Sequence, residues 1–364
     1  MKKELFRKEL AKFQPYVPGK PIEEVKREYG LEKIVKLASN ENQLGPSPLA
    51  MEAIIKAVSE INFYPESTAY ELKKDLAKDL AVNEDNLVIG NGGEELLQVI
   101  AQTFINEGDE AIVASPSFGI YNTTVGLLGG AIHSIPLKGY RYDFDGMLEK
   151  VNENTKLFYI CSPNNPTGNI ATASELAYLF GKLPEDVVVV LDEAYYEFAK
   201  ANPDYPDSIK LLKERPNTVI LRTFSKVSGI AGVRIGYIIT SEEIAAGMNK
   251  IKLTFDVNRL AQEGARGALK DKAHTRKTVE MTRNSIEMMQ DYFDKKGLDH
   301  IKSYANFIFV DVKMHSKTAF EELLKRGVIV RPGYFWGWDN WIRVSAGTIE
   351  QTQIFIDKLE EILN

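Results

Sequence analysis

The chain has 364 residues, 44% of them hydrophobic and 26% charged, with a formal net charge of −6. This is a globular composition with room for two domains, and its acidic balance offers no footprint for nucleic acid or an anionic membrane. The one cysteine, Cys161, excludes an internal disulfide and fits a reducing cytoplasm, and the four histidines stand too far apart to share a metal. In chain order, residues 1–45 carry weak periodicity and several prolines. They mix charges without the apolar core of a signal peptide, and no later run reaches the length of a membrane span. They read as an arm, together with part of a small domain, lying against something larger such as a partner subunit.

Residues 46–255 read as a large domain. From about residue 85, short apolar runs alternate with helical periods: "NLVIG" (86–90), "EAIVAS" (110–115), "KLFYICS" (156–162), "VVVVLDEA" (187–194) and "TVILRTFS" (218–225). Runs apolar on both faces and separated by helices predict a mostly parallel sheet covered on both sides, with functional loops at the carboxyl ends of its strands. Residues 256–364 read as linker helices followed by a smaller α/β domain, with helical stretches near 257–269 and 274–297. Strand-like runs follow at 305–312, 328–332 and 341–347.

The chemistry-bearing residues cluster after those strands. Lys226, in "TFSKVSGIAGVRIG", sits in a glycine-rich bend beside Thr223, Ser225 and Arg234. A poorly solvated lysine becomes an amine nucleophile, and hydroxyls with a guanidinium can hold a phosphate. A solvated loop lysine is the alternative. Asp192 ends a buried strand, where a carboxylate needs a charged partner such as a protonated ring nitrogen, or serves as a helix N-cap. Tyr195 follows three residues on. Asn165, in "SPNNPTG", either presents its amide to a ligand or belongs to a plain turn. "IGNGGEELL" opens a helix at Gly93 and Glu94, where backbone N–H groups favour an anion. Phe118 could stack on a planar ring or pack in the core. Arg343 lies in the apolar run "WIRVSAG" and suits a buried anion such as a substrate carboxylate; Arg331, in "VIVRPG", is nearer a turn.

Taken together and in this order, "SPNNPTG", "LDEAYYEF", "TFSK" with "GVRIGY", and the late arginine of "IRVSAG" resemble the class I/II, fold type I pyridoxal-phosphate aminotransferases. "LASNENQLGPSP", "NFYPES" and "FDVNRLAQ" are similar to the histidinol-phosphate aminotransferases within that group. The resemblance runs from about residue 12 to the end of the chain. It implies a homodimeric enzyme with pyridoxal 5′-phosphate bound as a Schiff base to Lys226, with Asp192 on the ring nitrogen and Asn165 and Tyr195 on its phenolic oxygen. Phe118 would stack on the ring, and Thr223, Ser225, Arg234 and the amides of Gly93 and Glu94 would hold the phosphate. Tyr64 would reach the phosphate of the neighbouring subunit's cofactor. Arg343, Arg331 and Asn42 are the implied substrate contacts. The implied reaction is transamination between L-histidinol phosphate and 2-oxoglutarate. A broad aromatic aminotransferase, a decarboxylase of a phosphorylated amino acid and a non-catalytic cofactor-binding protein are the alternatives. The sequence departs from the family's pattern at Ser228, Gln43, Gly93-Glu94 and Asp256, the last placing a carboxylate where a substrate phosphate is expected.

Overall fold

The computed structural model describes residues 5–15 and 19–364, so the first four residues of the arm and its residues 16–18 lie outside the described part. Thirteen strands are named here in chain order. They are β1 Val35–Lys36, β2 Leu87–Gly90, β3 Glu110–Ser115, β4 Ala131–Pro136, β5 Thr155–Cys161, β6 Val188–Asp192 and β7 Thr218–Thr223. The rest are β8 Gly236–Ile239, β9 His300–Ile301, β10 Phe307–Asp311, β11 Val328–Ile329, β12 Arg331–Pro332 and β13 Trp341–Ser345.

Seven strands form the large sheet in the order β2-β8-β7-β6-β5-β3-β4. β3 to β7 run parallel, whereas β8 is antiparallel to both its neighbours. Successive side chains leave opposite faces of a strand, so a sheet covered on both sides needs apolar residues at every position. Val113, Tyr159, Val190 and Val219 accordingly enter one core, and Ile112, Phe158, Val189 and Ile220 enter the other. β2, β3, β5, β6 and β7 match the predicted runs to within two or three residues. β4 and β8 were not among those runs. β4 is an edge strand with most of its side chains exposed or half-buried, so it lacks a continuous apolar run. β8 is short and begins inside the glycine-rich bend.

The smaller sheet is antiparallel, β12-β13-β10-β9, with the 15-residue helix Ile349–Leu363 against it. That helix opens on a capping box between Thr348 and Gln351, which satisfies two of the N–H groups a helix start leaves open. The N-terminal segment belongs to this end of the molecule: β1 pairs in parallel with β11, Val35 opposite Val328. The helix Lys272–Lys296 carries the chain from one unit to the other, and its buried Ile286, Met289 and Phe293 join the small core. Among the described residues no helix is long and apolar enough to cross a membrane.

Candidate functional site

The site lies where β5, β6 and β7 end side by side. Asp192, the last residue of β6, is opposite Cys161 of β5 and Leu221 of β7, and Lys226 follows β7 by three residues. Asp192 is 4% exposed; one carboxylate oxygen accepts from the Tyr121 hydroxyl at 2.7 Å and the other from the Ala194 N–H at 3.1 Å. Burial raises its pKa, and those two hydrogen bonds oppose the rise. Among the described residues no cationic side chain forms an ion pair with it, an arrangement that suits a bound group carrying its own N–H cation. Lys226 Nζ lies 5.7 Å from the centroid of the Tyr195 ring and 3.4 Å from the Ser39 carbonyl. Desolvation first, then the Arg343 and Arg234 guanidiniums, lower its pKa to about 8.

A second set of groups forms an anion cup beside the lysine. The helix Gly93–Phe104 starts without a side-chain cap, so its first N–H groups are open to a ligand. Gly92 has φ +86°, and a Cβ there would lie 2.5 Å from Nη2 of Arg234, so glycine is required at this approach. Arg234 itself is left-handed at φ +60°, and its Nη1 reaches the Ala231 carbonyl at 3.0 Å and Ser225 Oγ at 3.5 Å. Thr223 Oγ1 accepts from the Ser225 N–H, which fixes the turn between them. The Glu94 side chain is exposed, so only its backbone amide belongs to the cup.

Arg343 enters from β13. Its Nη1 donates to Asn165 Oδ1 and its Nη2 to the Ala38 carbonyl, each at 2.5 Å. Arg331 is directly opposite it across the β12–β13 pair, and both are buried. The register brings two guanidinium-bearing side chains to one face of this sheet, where both can meet an anion. Asn165 turns its amide nitrogen toward the Tyr195 hydroxyl at 3.4 Å. Phe118 packs edge-on against Tyr121, ring centroids 5.8 Å apart.

Two expected members have contacts of their own. Asn42 uses its amide nitrogen on the Val227 carbonyl and Thr278 Oγ1, and its oxygen on the Leu44 N–H, so it braces the lysine loop. Asn40, two residues earlier, reaches Tyr195. It is 1% exposed and left-handed at φ +56°, a conformation asparagine tolerates, and its amide donates to Tyr195 Oη at 2.9 Å. Ser345 and Asn306 hold it through its side-chain oxygen, its N–H and its carbonyl. Tyr64 is 78% exposed and stacks on Phe255 at 4.6 Å, outside the cluster formed by this one chain.

The departures also have places. The Asp256 carboxylate pairs with Lys252 at 3.1 Å in a buried i,i+4 contact. Its charge therefore has a cationic partner on its own segment. Gln43 links the Lys36 carbonyl to Gln351 of the last long helix. Ser228 accepts from the Ser47 N–H through its carbonyl. Tyr121 and Asn40 are the side chains that sequence reasoning passed over. Tyr121 had a signal, one helical turn after Phe118, whereas Asn40 is one of two asparagines in "SNEN" with nothing in one dimension to choose between them.

The model of the family described as aminotransferase class I and II matches residues 32–359. The chain is 47% identical over 359 residues to histidinol-phosphate aminotransferase 2 of Carboxydothermus hydrogenoformans, covering 99% of each. It is 44% identical to the histidinol-phosphate aminotransferase of Moorella thermoacetica, over 98% of this chain and 92% of that one. The crystal structure of histidinol-phosphate aminotransferase from Sinorhizobium meliloti in complex with pyridoxal-5′-phosphate superposes with a TM-score of 0.90. That pair is 29% identical, and the match covers 99% of this chain and 98% of that one.

Proposed function

The chain belongs to the class I and II aminotransferases, and from that premise we propose that it moves the amino group of L-histidinol phosphate to 2-oxoglutarate, giving imidazole-acetol phosphate and glutamate. Full-length identity of 47% to a histidinol-phosphate aminotransferase carries the choice of donor. The cofactor is pyridoxal 5′-phosphate, and the residues fit it. Asp192 is a buried carboxylate without a cationic side chain on it, Lys226 is a lysine with a lowered pKa, and the Gly92–Arg234 approach leaves helix N–H groups open. Arg234, Ser225, Thr223 and the amides of Gly93 and Glu94 would hold the phosphate, Phe118 the ring face, and Tyr195 with Asn165 the phenolic oxygen.

The bound cofactor supplies an electron-withdrawing ring that stabilises the carbanion left when the donor's α-carbon loses its proton. Lys226 performs that proton transfer. With a pKa near 8, a usable fraction of its Nζ is a free amine at neutral pH, and the same atom then returns the proton as an acid. Asp192 stays ionised to keep the ring nitrogen protonated. Arg343 and Arg331 grip the anionic end of whichever substrate is bound, the donor's phosphate or the second substrate's carboxylate, and exclude water from it.

The working unit is a homodimer. Residues 49–64 expose Leu49, Ile55, Ile61 and Phe63 beside Tyr64, with Leu253 and Phe255 next to them, an apolar patch suited to a second copy. Tyr64 is then free to reach the neighbouring subunit's cofactor phosphate. Within each subunit, residues 1–45 form the arm and part of the small domain, 46–255 the large domain, and 256–364 the linker helices and the rest of the small domain.

Steady-state rates with histidinol phosphate and with phenylalanine, each against 2-oxoglutarate, test the donor. We expect kcat/KM for histidinol phosphate to be higher by about 100-fold or more, the discrimination that a few kcal/mol of differential pocket contact gives. A preference for phenylalanine would instead mark a broad aromatic aminotransferase, and carbon dioxide release a decarboxylase.

A further inference from the structure

The transamination reading makes no use of the turn Gly333–Trp336, which joins β12 to the loop before β13. Its sequence is Gly-Tyr-Phe-Trp, and the turn is firmly seated. A Cβ on Gly333 would press into the Trp338 and Trp341 carbonyls, and Gly337 closes the turn at φ +75°. The Tyr334 N–H donates to Ser316 Oγ at 3.1 Å, and Trp336 meets Phe309 edge-on with centroids 6.0 Å apart. Phe335 nevertheless remains 39% exposed. An anchored turn that holds an aromatic ring partly in water invites the question of what the ring faces.

It faces the substrate arginines. The Arg331 guanidinium carbon lies 4.2 Å from the centroid of Phe335, and that of Arg343 lies 5.5 Å from the centroid of Trp336. One turn therefore lays an aromatic face on each of two cross-strand guanidiniums, a contact that orients the fork. The same two rings line a cleft of about 230 Å³ whose other wall carries Phe118, Ser117 and Asn122. Sites that enclose a whole drug-sized ligand run to about 300–1,000 Å³. This cleft has room for a side-chain ring and not for an entire donor with its cofactor.

Resting on the reading above, we propose that Phe335 and Trp336 are the donor-selecting wall: they take the flat ring of an aromatic donor between themselves and Phe118 while holding Arg331 and Arg343 for its anionic end. An imidazole or a benzene ring gains offset or edge-on contacts there, with centroids about 4.5–7 Å apart. Glutamate offers no ring and depends on the arginines alone. One site thus serves a ring-bearing donor and a dicarboxylate without moving a charged residue.

Transamination occurs as two half-reactions, so each amino donor can be followed on its own in Phe335→Leu, Trp336→Leu and the conservative Trp336→Phe. The KM for the ring-bearing donor, relative to that for glutamate, should rise about 10-fold in the two leucine variants, the scale of one lost aromatic contact with its cation–π partner, and return toward normal in Trp336→Phe. All three tryptophans lie between residues 336 and 341, so selectively excited tryptophan emission reports on this element alone. Adding the ring-bearing donor to the Lys226→Ala protein should change that emission, and glutamate should change it less. An equal KM change for both donors, or none, overturns the wall. So does a wild-type protein that uses no ring-bearing donor. If wild type prefers phenylalanine to histidinol phosphate, the proposed substrate falls, while the same ratio measured with phenylalanine still decides the wall. Should Trp336→Leu fail to fold, Phe335→Leu at its exposed position carries the test.

Discussion

Asp192 and Lys226 leave neighbouring strands of one seven-stranded sheet and are fixed by groups from that sheet's own loops. Arg343 and Arg331 stand on a separate antiparallel sheet and meet the first pair through a strap of residues 38–40. Along that strap the Ala38 carbonyl holds Arg343, Arg343 holds Asn165, and Asn40 ties Tyr195 to Ser345. The Asp192–Lys226 half is preformed by regular structure, and the Arg343–Arg331 half is a relay of side chains across three segments. Damage to the first should fall on chemistry, and damage to the second on binding and on the electrostatics of the first.

The comparison breaks most severely at Lys226. Lys226→Ala should lower kcat by at least about 10⁴-fold, beyond the usual 10²–10⁴ of a lost acid–base group because the attachment point is lost with it. The cofactor's absorbance near the visible edge should vanish too; ordinary turnover would end the assignment. Arg343→Leu comes next, with kcat/KM for glutamate down about 10²–10³-fold, the equivalent of removing one partner of a buried charged contact. Because the Arg343 charge helps to depress the Lys226 pKa, this variant should also move the midpoint for amine labelling of Lys226 in cofactor-free protein upward from about 8. An unchanged midpoint would separate the two halves electrostatically.

Tyr121→Phe probes the Asp192–Lys226 half more gently. The Tyr121 hydrogen bond favours the ionised form of Asp192, so its loss raises the carboxyl pKa. The acid limb of the pH–rate profile should therefore shift to higher pH, with activity lost earlier as pH falls, and kcat should drop about 10-fold. A drop without a shifted limb would make Tyr121 a packing residue only. The smallest effect belongs to the two asparagines. Asn40→Ala should cost about 1 kcal/mol of catalysis by freeing Tyr195, whereas Asn42→Ala should cost about 1 kcal/mol of stability with its effect visible in Tm. Measured side by side, they test which of the pair faces the ligand.

That Asn165, Asp192, Tyr195 and Lys226 come together could be read from sequence because each motif follows an apolar run, and a parallel sheet delivers such loops to one edge. The Arg343–Arg331 half resisted because its partners are remote in sequence. Nothing in "LASNEN" says that Asn40 is left-handed while Asn42 turns back on the lysine loop. The surroundings of Asp256 were hidden for a similar reason. Its i,i+4 partner Lys252 was visible, but not that the pair would be buried, with Lys252 also on the Ile89 carbonyl. β4 and β8 were missed where edge exposure and a glycine-rich entry removed the apolar signature.

The strap also has a history in time. Asn40 and Ser345 are 305 residues apart in the chain. At a synthesis rate of about 5–20 residues per second, the strap waits roughly 15–60 s for its strand to leave the ribosome. The large sheet can be complete well before then, whereas β1 has no β11 to pair with. A nascent chain is therefore able to assemble the lysine and phosphate side of the site first and gains the means to hold a substrate only with its last strand.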